Sequence, residues 1–129
     1  MPCAGWCSNA PGDAANIAFC HRGWPSINEP DHIIPRQHGG QTGTDNLALA
    51  CVRCNRYKGP NVGSFDSETG ELVPFFNPRT QVWAEHFQLE GGAIRPVTAQ
   101  ARVTVKLFRL NDPDRGIERQ GLIAARLYS

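Results

Sequence analysis

Apolar residues along this chain fall into short periodic runs divided by turn residues, and the period changes from run to run. Residues 1–30 sustain neither a 3.6-residue nor a 2-residue period and are punctuated by Pro2, Pro11, Pro25 and Pro30, so they read as irregular. After residues 31–59 come turn signals at Gly59-Pro60, Ser67-Glu68-Thr69-Gly70 and Asn77-Pro78. Between them, Val62–Phe65 and Glu71–Phe76 predict a short hairpin. Val82 to Phe87 fits either a short helix or a strand, Gly91-Gly92 breaks the chain, and Ala93 to Val97 reads as extended. Thr98 to Leu110 carries two patterns at once. Val97, Ala99, Ala101, Val103, Val105 and Leu107 alternate as in a strand. Ala101, Val105 and Phe108 recur as on a helix, with Thr98 placed to cap it. The Ala, Gln, Arg, Lys and Leu content decides for helix. Asn111-Asp112-Pro113-Asp114 is a stop, and the apolar positions 117, 121–122, 125 and 128 predict a last helix over Ile117–Tyr128.

A chain of 129 residues is one folding unit of ordinary size. The reading is a small α+β protein in three parts: an irregular segment 1–30, a motif-bearing core 31–60 and an extension 61–129 packed on that core. A hydrophobic content of 40% excludes wholesale disorder. No apolar run approaches the roughly 20 residues of a membrane span. The first residues lack a basic and then apolar leader, so a cytoplasmic location is expected. The formal net charge of +1 does not by itself announce a nucleic-acid partner. Local charge does more: Arg36, Arg53, Arg56 and Lys58 cluster on the motif against Asp31 and Asp45. They are the candidate phosphate contacts, against the alternative of a solvated arginine-rich surface. Five cysteines, an odd number, with a single Cys-x-x-Cys pair argue for a metal rather than a disulfide framework.

The chemistry lies in Asp31-His32-Ile33-Ile34-Pro35, Gly39-Gly40, Asp45-Asn46-Leu47 and Cys51-Val52-Arg53-Cys54-Asn55-Arg56-Tyr57-Lys58-Gly59. Phosphodiester cleavage needs an activated nucleophile and positive charge on the developing phosphorane and the leaving oxygen. Asp31 is a hard oxygen ligand suited to Mg²⁺ or Mn²⁺. In an extended segment its neighbour His32 faces the other way, free to act as base on a water. The glycine-rich loop folds Asn46 back toward His32, where an amide carbonyl can accept the Nδ1 proton and leave Nε2 as the base. Leu47, Leu49 and Val52 anchor this element. A short helix over Cys51–Lys58 then projects Asn55 toward the metal that Asp31 holds. Cys51 and Cys54 have the spacing of half a zinc site. Taken singly, an Asp-His pair is more often a surface pair and an isolated Asn a turn or cap residue. Order, spacing and loop glycines together make the pattern specific.

These motifs resemble those of the HNH endonuclease family, in its cysteine-containing bacterial and cyanobacterial subgroup. The resemblance implies a ββα-metal core of two antiparallel strands and a helix around one divalent ion, and products with 5′ phosphates. By resemblance His32 matches the general base, Asn46 the residue that orients it, Asp31 and Asn55 the metal ligands, and Cys51 and Cys54 half of a structural zinc site. Nucleic acid, DNA in particular, is the implied substrate. Asp66-Ser67-Glu68-Thr69-Gly70-Glu71 and Trp83-Ala84-Glu85-His86-Phe87 extend the likeness with less specificity.

One departure stands out. The subgroup carries a second Cys-x-x-Cys, typically Cys-Glu-Tyr-Cys, upstream of the acid–His pair, and this chain has none there. Read one base earlier, the codons of Ser8 to Arg22 can encode a stretch containing Cys-Glu-Tyr-Cys over Ala14 to Ala18. Residues 1–30 are therefore expected to be a frameshifted product, an idea that the genomic reading frame checks. In the rival reading Cys3 and Cys7, or Cys20 and His21, complete the zinc site. Two further functional readings stand beside the nuclease: a non-catalytic zinc module that binds nucleic acid, and a degraded pseudo-nuclease. Outside the motif, His38 is expected to be a solvated loop residue, His86 a packed or capping one, and Trp83, Phe75, Phe76 and Phe87 core.

Overall fold

The computed structural model describes residues 28–126. The expectations for residues 1–27, including the frameshift, Cys3, Cys7, Cys20 and His21, lie outside the described residues. The chain is of the α+β class, with three separate two-stranded antiparallel sheets and three α-helices among the described residues.

Strand β1 (Asn28–His32) pairs with β2 (Leu47–Cys51), and α1 (Val52–Lys58) follows without a loop. The register sets Asp31 opposite Ala48 and Glu29 opposite Ala50. Alternate residues of a strand share a face, so Glu29 and Asp31 lie on one face opposite two side chains that are single methyl groups. That leaves room for the longer side chains of α1 to reach the two acids. Both alanines are fully buried, and Leu49 and Cys51 are buried too, so β2 is covered on both faces. Helix α1 starts where the Cys51 sulfur accepts from the Cys54 N–H. It stops at Gly59, whose φ of +53° suits glycine and whose N–H closes on Asn55 O.

The predicted hairpin is present as β3 (Gly63–Phe65) against β4 (Leu72–Pro74). Val82–Phe87, left open between helix and strand, divides: a 3-10 turn at Trp83–Glu85 leads into β5 (Phe87–Glu90). Gly91-Gly92 is the turn of a second hairpin, in which β5 pairs with β6 (Ala93–Pro96). Helix α2 (Ala99–Phe108) begins at Thr98, whose hydroxyl accepts from the Ala101 N–H at 3.1 Å, the predicted cap. One apolar cluster includes Ile33, Leu49, Phe75, Phe76, Trp83, Phe87, Ile94 and Phe108, so the motif-bearing strands share their core with the extension. His86 is packed as expected, its Nδ1 2.7 Å from Thr98 Oγ1 and its ring edge-on to Phe76.

The last helix, α3 (Pro113–Ala124), corrects the sequence reading in extent and in phase. It starts at Pro113, within the expected stop, because proline suits the first helical position. Ile117, expected to face inward, is 70% exposed, and the buried residues are Arg115, Arg119 and Leu122. The two arginines turn in because α2 ends with carbonyls that lack helical donors. Arg115 Nη1 donates to Phe108 O at 2.8 Å, and Arg119 Nη2 donates to Leu110 O at 2.8 Å.

The Asp66–Glu71 turn is held from α2. Arg102 donates two parallel bonds of 2.8 Å to the Asp66 carboxylate, Thr69 Oγ1 donates a third, and Asp66 is 1% exposed. The Arg102 guanidinium holds the Asp66 carboxyl below the usual carboxylate range, against the opposing effect of burial. A carboxyl depressed in the folded state adds stability at pH values above its unfolded pKa and loses it as pH falls. Thermal midpoints are therefore expected to hold from neutral pH downward and to drop below about pH 4. Asp66→Asn should flatten that acid-side drop. Melts in which the two proteins lose stability in parallel below this pH would show that other groups carry the acid sensitivity.

Candidate active site

Asp31 and His32 end β1, and α1 contacts this strand through Asn55 at Glu29 and through Lys58, its last residue, at Asp31 and His32. Asp31 is mostly buried, its side chain 13% exposed. Its Oδ2 lies 3.2 Å from Lys58 Nζ, an ion pair without hydrogen-bond geometry, so this buried oxygen lacks a hydrogen-bond donor among the described residues. Burial pushes the Asp31 carboxyl up and the Lys58 ammonium pulls it back down, with burial the stronger. One turn before Lys58 on α1, Asn55 Nδ2 donates to Glu29 Oε1, which brings Asn55 to the acidic face of β1. Use of the amide nitrogen in that bond leaves the Asn55 carbonyl oxygen for a cation.

The donors on this face are therefore the Asp31 carboxylate, the Asn55 amide oxygen and the Glu29 carboxylate. Glu29 was not among the expected ligands, although its i, i+2 spacing from Asp31 on a strand is a usable signal. No three His, Cys, Asp or Glu side chains converge as a metal-binding group among the described residues. A site built on one carboxylate and one amide oxygen does not need three. Mg²⁺ usually takes one or two protein carboxylates and completes its octahedron with water and substrate phosphate. The orphaned Asp31 oxygen and the all-oxygen donor set fit a hard divalent ion.

His32 is half-buried, and its Nε2 lies 2.8 Å from Thr42 Oγ1. This differs from the expected arrangement, in which Nε2 stayed open and the Asn46 carbonyl held Nδ1. The Asn46 side chain is consumed by backbone groups instead. Its Oδ1 accepts from Ile34 N at 2.9 Å, and its Nδ2 donates to Ile34 O at 3.0 Å and to Gln41 O at 2.9 Å. Backbone bonds from Ile33 N to Asn46 O and from Asn46 N to Gly43 O complete the closure. Asn46 thus staples the loop that carries Thr42 to the chain leaving His32. Gly40 permits it, since a Cβ there would come within 1.7 Å of Ile34 O. Thr42 was missed because nothing in a hydroxyl three residues after Gly39 marks it for the imidazole.

The four basic residues separate. Arg36, on a 3-10 turn, and Arg56, on α1, are exposed and available to phosphate. Arg53 is half-exposed but ion-pairs with Asp114 at 2.9 Å and with Glu118 at 3.5 Å, contacts that a phosphate would have to displace. Lys58 is a correction: its side chain is fully buried and its Nζ donates to His32 O at 2.8 Å, so it cannot reach a phosphate backbone. His38 is exposed as expected, though its Nε2 lies 2.9 Å from Pro60 O.

Cys51 and Cys54 are buried. The buried Arg115 points Nη2 at both sulfurs, 3.0 Å from Cys54 Sγ and 3.4 Å from Cys51 Sγ. A guanidinium on α3 therefore faces the cysteine pair, a partner that sequence spacing gave no means to find. A groove of about 830 Å³ bounded by Ile34, Val62, Leu72, Phe75 and Gln100 lies beside the loop, but Asp31, His32 and Asn55 do not line it.

Two strands closed by a stapled loop and followed by a short helix thus carry an acid and an imidazole on β1 and an amide on α1 that contacts the same strand. Residues 18–61 match the family model described as HNH endonuclease. Over 78 residues the chain is 32% identical to the CRISPR-associated endonuclease Cas9 of Corynebacterium diphtheriae. That match takes in 60% of this chain and only 6% of the relative's length. No solved structure matches. No helix among the described residues is long and apolar enough to cross a membrane.

Proposed function

We propose that this chain is a metal-dependent endonuclease that hydrolyses phosphodiester bonds in nucleic acid, with DNA the expected substrate. The observation that supports this reading is the placement of the candidate residues on β1 and on the helix that contacts it. Asp31 and His32 stand on opposite faces of one strand, and Asn55 reaches the acidic face from α1. Asp31 and Asn55 would hold a divalent cation, Mg²⁺ or Mn²⁺, which supplies positive charge for the pentavalent phosphorus and the departing 3′ oxygen. His32 Nε2 takes the proton of the attacking water, which enters the place that the exposed Thr42 hydroxyl holds in this structure. Asn46 keeps the loop and the strand end in register, so the imidazole meets the water at a fixed angle. Arg36 and Arg56 offer exposed charge to the flanking phosphates.

Cys51 and Cys54 keep their reading as half of a structural zinc site, whose remaining ligands would have to come from outside the described residues. Arg115 supplies positive charge to the pair in the meantime.

Incubation of supercoiled plasmid with the protein and Mg²⁺ or Mn²⁺ tests the reading. Nicked circles should accumulate with metal and cease to form when a chelator is added. Retention of plasmid without nicking in either metal would favour the non-catalytic binding module. Broad, uncooperative unfolding would favour the degraded nuclease.

A further inference from the structure

Lys58 is the last residue of α1 and is fully buried. Lysine ordinarily lays its stem along the surface and keeps its ammonium in water. An ammonium withdrawn from water is costly unless its hydrogen bonds and charge are matched. Arg56, two residues earlier on α1, is exposed, so the helix has a solvent face for a cation. An apolar side chain would anchor the end of α1 at lower cost. What an apolar side chain cannot do is hold a carboxylate and a carbonyl at once. Lys58 Nζ donates to His32 O at 2.8 Å and lies 3.2 Å from Asp31 Oδ2. These two groups belong to the residues assigned to the cation and to the base.

We propose that Lys58 is a positioning residue: an internal cation that ties the Asp31 carboxylate to the His32 backbone and shares Asp31 with the divalent ion. The proposal rests on the nuclease reading for its catalytic consequence, but not for its effect on metal binding. Sharing has a sign. The ammonium repels a second cation brought to the same carboxylate, so it weakens metal affinity while it fixes the geometry in which the metal and the base work together. Removal of the ammonium should therefore move two readouts in opposite directions. A residue that merely held the fold would move both the same way.

The test compares Lys58→Met and Lys58→Gln with the parent chain by circular dichroism, by calorimetric titration with Mn²⁺ and by plasmid nicking. The folded variant should bind Mn²⁺ as tightly as the parent or more tightly. Its kcat should fall on the order of 100-fold, with KM changed much less, as a small misplacement of reacting groups produces. Lys58→Arg, which keeps the charge, should regain part of the lost turnover. A parent chain that binds Mn²⁺ no more tightly than the variant, yet nicks no plasmid, leaves the coupling standing and removes the nuclease reading. A folded variant that nicks at the parental rate overturns the proposal and leaves the nuclease reading intact. Weaker Mn²⁺ binding in a folded variant also overturns it. Failure of both neutral variants to fold overturns it in favour of a purely structural anchor, as does a parent chain that binds no Mn²⁺.

Discussion

His32→Ala is expected to lower plasmid nicking by about a thousandfold, within the range that a positioned general base contributes. The fold should hardly notice. His32 is half-buried, and its ring makes one hydrogen bond, to Thr42, among the described residues. Loss of such a bond costs about 1 kcal/mol or less. The backbone groups that matter there stay in place, since the His32 carbonyl still receives the Lys58 ammonium and the loop is still stapled by Asn46. Mn²⁺ titration of the variant should match the parent, because the carboxylate and amide on the other face are untouched. Turnover, metal affinity and thermal midpoint therefore form one measurement in three parts, and only the first should change. Nicking at the parental rate by His32→Ala would remove the base, and with it the mechanism.

Arg115→Met is expected to lower stability by about 3 kcal/mol, the scale on which the loss of one partner from a buried charged network is felt. For a chain of this length that corresponds to a fall in Tm on the order of 10 °C. Among the described residues the guanidinium meets acceptors on three elements: Phe108 O at the end of α2, the Cys51 sulfur at the end of β2 and the Cys54 sulfur in α1. Methionine keeps much of the volume and satisfies none of them. Arg115→Lys should recover less than half of the loss, because one ammonium lacks the planar fork that reaches a carbonyl and two sulfurs together. Urea unfolding of the three proteins gives the comparison. A cost for Arg115→Met below about 1 kcal/mol would show the contact to be incidental. The same contact makes a statement about zinc. If Arg115 is the cation of the cysteine pair, a strong chelator leaves the parental Tm unchanged, whereas a complete zinc site would lose folding free energy with its metal.

Much of the fold could be read from local pattern. The Thr98 cap, the β3–β4 hairpin and the short helix α1 rest on interactions between residues close in sequence, whereas the pairing of β1 with β2 was implied only by the family resemblance. Helix α3 could not be phased that way. Apolar spacing pointed Ile117 inward, but the carbonyls at the end of α2 called for donors, so the helix turned Arg115 and Arg119 in and left Ile117 in water. The site divides along the same line. Asp31, His32, Asn46 and Asn55 stood out as candidates because their spacing along the chain is itself the signal, although Asn46 holds the loop and not the imidazole. Their partners did not stand out. Thr42, Glu29 and Arg115 acquire meaning only when loop, strand and helix close on one another. Lys58 looked like one more basic residue in a basic run until its burial took it away from phosphate.

The residue order by itself determined the α+β class, the capped helix α2 and the β3–β4 hairpin, and it singled out the candidate residues, because strand alternation, turn glycines and helix caps act over a few residues. Tertiary structure alone decided which cations face solvent and which face inward, and which group holds the imidazole. Those outcomes depend on desolvation and on donors supplied from elements distant in the chain, quantities that no local spacing encodes.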